Sequence, residues 1–177
     1  MCIRDNRRPV DFDHRRHLFD GLDSLAPSEL LATRTDGRVK MHVMHKGLCA
    51  RAQCRRVFDE GEYVPLEATG ARRDCLFAFA RRLPASRPDR TLAITCVPRL
   101  IASLTPDGVT PPLGPGAWKD TRVELSGVTD ELARIGAFRD VFTGAIVRAE
   151  PTASGLSIAA ATLFEQFPVA LLVPSSL

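Results

Sequence analysis

The chain lacks any apolar run long enough to cross a bilayer, which takes about 20 residues. Its most apolar stretch, Pro168 to Pro174, has only the length of a strand. The first residues, Met1 to Val10, carry three arginines that no hydrophobic segment follows, so they do not resemble a secretory signal. These features predict a cytoplasmic protein with no membrane partner.

Cysteine pairing and a strong basic stripe are also missing. The five cysteines are an odd number without regular spacing, which argues against a disulfide framework. The net charge is only +3, and the basic residues of the first 60 positions are interleaved with acids. Nucleic-acid binding through Arg7, Arg8, Arg15 and Arg16 would need a denser patch, so we expect no nucleic-acid partner.

Motifs for nucleotide or nucleophilic chemistry are likewise missing. The chain has no Gly-x-Ser-x-Gly, no P-loop and no dinucleotide fingerprint, and we expect no cofactor. His42, His45 and Cys49 share one helix face, and Cys54 follows, so the ligand types would suit zinc. Their spacing matches no common zinc module, and a packed helix face is the stronger interpretation, so we expect no metal.

Helical patterns occupy the first third of the chain. Phe12 to Leu25 has apolar residues at spacings of three and four, and Asp11 or Asp13 can cap its start. A second helix is predicted from about Gly37 to Arg55, after a cap at Asp36. The two helices together have too little apolar surface for a core of their own, so we expect apolar faces that lack a partner within this chain.

Strand patterns follow Phe58. Glu62 to Ala68 alternates, with Pro65 favouring a sheet edge, and Cys75 to Phe79 has the pattern of a buried strand. Several short strands bounded by turn signals are typical of a β-sandwich. The predicted fold class is therefore α+β, and further strands are expected at Thr91–Val97, Thr121–Leu125, Ala137–Val141, Ala145–Arg148, Leu156–Ala161 and Pro168–Val173.

The stretch Asp5 to Phe12 joins two carboxylates, an amide and two guanidiniums in a turn that leads into the first helix. Pro9 fixes its own φ and moves Arg8 away from helical geometry. Carboxylates and arginine forks satisfy paired hydroxyl groups well, so such a loop suits a polyhydroxylated ligand.

Four stretches, in order, resemble the malto-oligosyltrehalose synthases, a branch of the α-amylase (glycoside hydrolase 13) superfamily. The first, Asp5 to Phe12, resembles the loop after the last barrel strand of these enzymes. The others are Asp36 to Lys40, Glu60 to Glu67 and Phe164 to Leu172. The resemblance extends over nearly the whole chain, with less detail between Pro84 and Ser157.

The resemblance implies two parts. Residues 1–58 would be the terminal loop and helices of an incomplete (β/α)8 barrel, and residues 59–177 the β-sandwich C-terminal domain. A complete barrel needs about 250 residues and cannot fit before residue 60. Family members convert the reducing-end α-1,4 bond of a malto-oligosaccharide into an α,α-1,1 bond. The implied partners are that substrate and the missing barrel.

The resemblance implies a substrate-binding role for Asp5, Asn6, Arg7 and Arg8, which would lie at the barrel mouth. A salt-bridged structural loop is an equal alternative. The family's catalytic carboxylates lie before the region that this chain resembles, so we expect no catalytic residue here and a chain that is inactive alone. The pairs Asp11/Asp13 and Asp59/Glu60 are interpreted as a helix cap and a solvated turn.

A second hypothesis is a stand-alone carbohydrate-binding β-domain. Such a domain would present exposed aromatic rings as its platform. The chain has one tryptophan, Trp118, and one tyrosine, Tyr63, and this scarcity disfavours the hypothesis.

Overall fold

The structure is a computed structural model that describes residues 9–84, 92–153 and 155–175. The substrate-binding candidates Asp5, Asn6, Arg7 and Arg8 lie outside the described residues. Within the described ranges, no helix combines the length and the apolar character that a bilayer-spanning segment needs.

Helices come first in the chain, as the sequence predicts. Asp11 caps the first helix by accepting a hydrogen bond from the His14 N–H at 2.8 Å. Gly21 ends that helix, so the predicted single helix to Leu25 is wrong in its last turn, which is a separate 3-10 turn. The helices of this part are α1 (Phe12–Asp20), α2 (Pro27–Ala32), α3 (Arg38–Gln53) and α4 (Arg55–Glu60).

All strands follow these helices. Later short helices are α5 (Gly114–Trp118), α6 (Thr129–Ile135) and α7 (Ala160–Leu163). The strands are β1 (Glu62–Leu66), β2 (Ala68–Thr69), β3 (Leu76–Arg82), β4 (Leu92–Pro98), β5 (Arg122–Glu124), β6 (Phe138–Asp140), β7 (Ile146–Val147), β8 (Glu150–Thr152), β9 (Gly155–Ala159) and β10 (Ala170–Pro174).

The strands form two antiparallel sheets. One has six strands in the order β1-β3-β4-β10-β6-β7, and the other has four in the order β2-β5-β9-β8. The strand β1 is an edge strand, which confirms the edge position that Pro65 indicated. The main core lies between the sheets and includes the fully buried Trp118, whose indole N–H donates to the Pro112 carbonyl at 2.7 Å.

The helices cover part of the outer face of the six-stranded sheet. Leu31 and Ala50 pack with Leu171 of β10, while Cys54 and Val57 pack with Ala93 of β4. The expectation that the helices lack a partner within the chain is therefore wrong for this face, because the sheet itself supplies the partner. The described elements form no closed barrel.

A buried carboxylate organises the turn that follows β6. Oδ1 of Asp140 accepts hydrogen bonds from the backbone N–H of Phe142 at 3.3 Å and of Leu171 at 3.2 Å, and Oδ2 accepts from the Thr143 hydroxyl at 2.6 Å. Burial raises the pKa of Asp140, and these hydrogen bonds oppose the rise. His42 of α3 reaches the same turn through its Nε2, 2.9 Å from the Phe142 carbonyl.

Candidate interaction surface

Three aromatic rings lie on the outer face of the six-stranded sheet, where the helices do not cover it. Tyr63 of β1 and Phe79 of β3 are stacked with centroids 5.0 Å apart, and Phe77 lies 5.9 Å from Phe79. The exposed fractions are 48% for Tyr63 and 42% for Phe77. We call these three residues the aromatic strip.

The aromatic strip is exposed because successive side chains of β3 point to opposite faces of the sheet. Leu76, Ala78 and Ala80 are buried in the main core, so Phe77 and Phe79 face the opposite way. The prediction of a wholly buried strand at Cys75 to Phe79 is therefore wrong for one face. Phenylalanines alternating with alanine were the available signal, because period-2 alternation separates two faces.

An apolar groove continues the strip towards α3. Phe77 and Phe79 pair with Val97 and Thr95 of β4, and both of these β4 residues line the groove. The groove has a volume of about 320 Å³ and an almost wholly apolar wall, formed also by Val43, Gly47, Phe58, Phe142, Val169, Ala170 and Leu171.

The exposed side of α3 adds two apolar side chains and a charged border. Met44 is 56% exposed and Leu48 is 63% exposed. Beside them, Arg51 donates to Asp59 Oδ1 at 2.7 Å and Arg55 donates to Asp59 Oδ2 at 3.1 Å. The hydrogen bond from Arg51 is the main cause of the lowered pKa of Asp59. We call the strip, the groove, Met44 and Leu48 together the open face.

The helix cap predicted for Asp11/Asp13 is confirmed for Asp11, but the solvated turn predicted for Asp59/Glu60 is wrong, because both residues lie in the last turn of α4. Asp11 caps α1, and Asp13 forms an exposed ion pair with Arg16. Asp59 forms hydrogen bonds with two arginines, and Glu60 lies 3.8 Å from Arg56 on the same helix. These carboxylates act through local ion pairs and a helix cap.

The residues considered as zinc ligands lie in different surroundings, and among the described residues no group of three or more His, Cys, Asp or Glu side chains could hold a metal ion. His42 is buried between aromatic rings, with centroids 5.7 Å from Phe167 and 6.4 Å from Phe142. Cys54 is buried in the contact between α4 and the sheet. Cys75 and Cys96 are also buried.

The described chain next to the substrate-binding candidates begins at Pro9. Pro9 and Val10 are exposed and line a cleft of about 260 Å³ together with Asp11, His14 and Asp36, among others. The N-cap residue of α3 is Gly37, one residue after the predicted cap Asp36. The Oδ1 atom of Asp36 still accepts from the N–H of Arg38, the first residue of the helix, at 2.9 Å. The sugar-binding role of Asp5 to Arg8 stays a prediction.

Comparison with solved structures identifies a similar protein. The chain resembles the maltooligosyltrehalose synthase from Arthrobacter ramosus and a point mutant of that enzyme, in each case with 30% sequence identity and a TM-score of 0.65. The similarity covers 99% of this chain and 18% of the synthase chain, so this chain spans less than a fifth of that enzyme. No protein-family model and no curated protein matches the chain.

Proposed function

We propose that this chain is the C-terminal portion of a maltooligosyltrehalose synthase and that its own role is structural. The whole enzyme would convert the reducing-end α-1,4 bond of a malto-oligosaccharide into an α,α-1,1 bond. The observation that supports this most directly is the similarity over 99% of the chain to a solved synthase. The assignment to glycoside hydrolase family 13 and the barrel origin of residues 1–58 belong to the same proposal.

The chemistry of the reaction supports a non-catalytic role. Retaining glucosyl transfer needs a nucleophilic carboxylate and a carboxylic acid about 5 Å apart in a cleft. Two of the carboxylates that the sequence analysis considered have structural roles instead. Asp11 caps a helix, and Asp59 accepts hydrogen bonds from two arginines. Asp140 is buried in a turn and accepts three hydrogen bonds. The nucleophile and the acid would therefore belong to the remaining part of the enzyme.

The open face is the surface on which we propose that the remaining part docks. Its centre is apolar and its border carries Arg51, Arg55 and Asp59, an arrangement typical of protein interfaces. Contiguous apolar patches of this kind mark interaction sites more often than plain surface. The chain corresponds to 18% of the similar synthase. The remaining, larger part of such an enzyme would be the partner that covers the open face.

The first test measures the mass and activity of the native product. An antibody against the strand region should detect a species several times heavier than 19.4 kDa in extracts of the source cells. That species, once immunopurified, should remove the reducing ends of a malto-oligosaccharide, because the trehalose bond has none. The isolated 177-residue chain should leave them unchanged. A native band at 19.4 kDa without an associated polypeptide contradicts the proposal.

The second test addresses the docking surface through the double variant Tyr63→Lys/Phe77→Lys in the native gene. Both side chains are exposed, so the isolated chain should unfold at nearly the same temperature as the wild type. The native enzyme should lose most of its activity, because two charges would be buried against the partner. Val109→Lys is the matched control: Val109 is 64% exposed in a loop after β4. Full activity of the double variant would exclude this face.

The aromatic strip also supports a second candidate, a carbohydrate-binding β-domain. Stacked and exposed rings on a sheet face can pack against the apolar faces of pyranose rings. Calorimetric titration of the isolated chain with a malto-oligosaccharide separates the two candidates. Binding of the malto-oligosaccharide that is abolished in Tyr63→Lys/Phe77→Lys supports this second function. Heats no larger than those of a titration into buffer mean that the chain does not bind the sugar, and they leave docking as the favoured role of this face.

A further inference from the structure

Outside the open face, one cleft brings together a thiol, an imidazole and a carboxylate, with the imidazole between the other two groups. The Sγ atom of Cys49 is 4.0 Å from Nδ1 of His45, one helical turn earlier on α3. Nε2 of His45 is 3.6 Å from Oδ2 of Asp23. Asp23 is held in place by Lys46, whose Nζ lies 2.8 Å from Oδ1, and the ring of Phe19 packs edge-on against His45.

The arrangement selects one tautomer of His45. Hydrogen bonding to Lys46 is the main cause of the lowered pKa of Asp23, so this side chain is a carboxylate at neutral pH. A carboxylate beside Nε2 favours the proton on that nitrogen. Nδ1 is then left as a proton acceptor facing the thiol, which is the relation between nucleophile and base that activates cysteines.

The surroundings distinguish Cys49 from the other described cysteines. Cys54, Cys75 and Cys96 are buried, and burial raises the pKa of Cys96 to about 12. Cys49 is exposed and opens into a cleft of about 290 Å³. Besides Asp23 and His45, the cleft is lined by the cationic side chains of Lys46 and Arg139 and by Ala50, Gln53 and Val141.

We propose that Cys49 is a site of reversible covalent modification by small anionic disulfides. His45 Nδ1 takes the thiol proton, and the thiolate attacks one sulfur of the disulfide. The sulfur–sulfur bond of the reagent breaks as the new bond to Cys49 forms. The leaving thiolate then takes the proton from His45, so one disulfide and one thiol give a mixed disulfide and a free thiol. Lys46 and Arg139 attract the negative charge of the reagent. This inference does not depend on the proposed function.

The test follows reaction with oxidised glutathione by intact-mass spectrometry in a Cys2→Ser background, which removes the cysteine outside the described residues. One glutathione should be added at Cys49, and Cys49→Ser should abolish the addition. His45→Gln should slow the reaction about ten-fold at neutral pH, because the thiol loses its proton acceptor.

Charge selectivity provides the control. The cationic disulfide cystamine should react more slowly than oxidised glutathione, and Lys46→Gln/Arg139→Gln should reverse this order. Asp23→Asn tests the orientation of His45 and should slow the reaction without changing the cysteine. Circular dichroism checks the fold of each variant. Modification at the rate of an unstructured thiol, unchanged in His45→Gln, would overturn the proposal.

Discussion

At the scale of single residues, Asp140 is a buried carboxylate that organises the backbone around it. It joins the turn after β6 to β10 through hydrogen bonds from Phe142, Thr143 and Leu171, in a position that water barely reaches. A buried carboxylate of this kind both organises the backbone and costs free energy when it is charged.

Two substitutions of Asp140 separate these effects. Asp140→Ala leaves the Phe142 and Leu171 N–H groups without a partner, so the free energy of unfolding should fall by about 2–4 kcal/mol. Asp140→Asn keeps an acceptor oxygen and can donate to Thr143, so the loss should be within about 1 kcal/mol. Urea denaturation measures both. Equal losses in the two variants would show that the hydrogen bonds to Oδ1 are not the main contribution.

At the scale of elements, two glycines show how differently the helical layer and the sheet constrain the backbone. Gly61 connects α4 to β1, and a Cβ atom there would lie 2.3 Å from the Val57 carbonyl oxygen. Gly47 lies in the middle of α3, and a Cβ atom there would meet nothing within 4 Å.

The alanine variants of these glycines should change stability in opposite directions. Gly61→Ala must displace backbone and should lower the melting temperature by several degrees. Gly47→Ala should raise the free energy of unfolding by about 0.5–1 kcal/mol, because alanine restricts the unfolded chain and favours the helix. Differential scanning calorimetry on both variants checks this. A stable Gly61→Ala variant would mean that α4 and β1 can move apart.

The elements also show what sequence patterns could predict. Apolar runs and β-branched residues located β4, β6 and β10 within one or two residues. The strand β3 was located too, but it ends at Arg82, three residues beyond the predicted Phe79. The strand β8 was missed because Glu150 to Thr152 is too short and too polar to show any periodicity. The helix α6 was also missed. The packing of the helices on the sheet was missed because apolar faces show that a partner exists but not which one. The open face was missed for the same reason.

At the scale of the whole molecule, the charged groups make stability depend on pH in two opposite ways. The pKa values of Asp23, Asp36, Asp59 and Asp107 are lowered by hydrogen bonds and ion pairs, that of Asp107 to about 2, mainly by Thr110. These carboxylates bind protons more readily in the unfolded chain, so they favour folding above pH 3.8. Asp140 has a raised pKa and therefore opposes folding as the pH rises above 3.8.

Acid unfolding should reveal the first group. As the pH falls from 3.8 to about 2, the melting temperature should decrease, because the stabilising contribution of the lowered carboxylates is lost. Asp107→Asn should make this decrease in melting temperature shallower. The wild type should also lose some stability as the pH rises above 3.8, because Asp140 becomes charged, and Asp140→Asn should remove that loss. Melting curves across this range test both signs. An unchanged slope in Asp107→Asn would contradict the role of Thr110.

The edge position of Pro65 limits the ways in which copies of this chain can aggregate. A proline has no N–H to offer, so a strand approaching β1 cannot continue a complete ladder there. At the other edge of the same sheet, β7 is only two residues long. Open-ended growth by strand addition is therefore obstructed at both edges of the six-stranded sheet, while contacts through its aromatic surface remain possible. The isolated chain should consequently form small oligomers of defined size rather than fibrils.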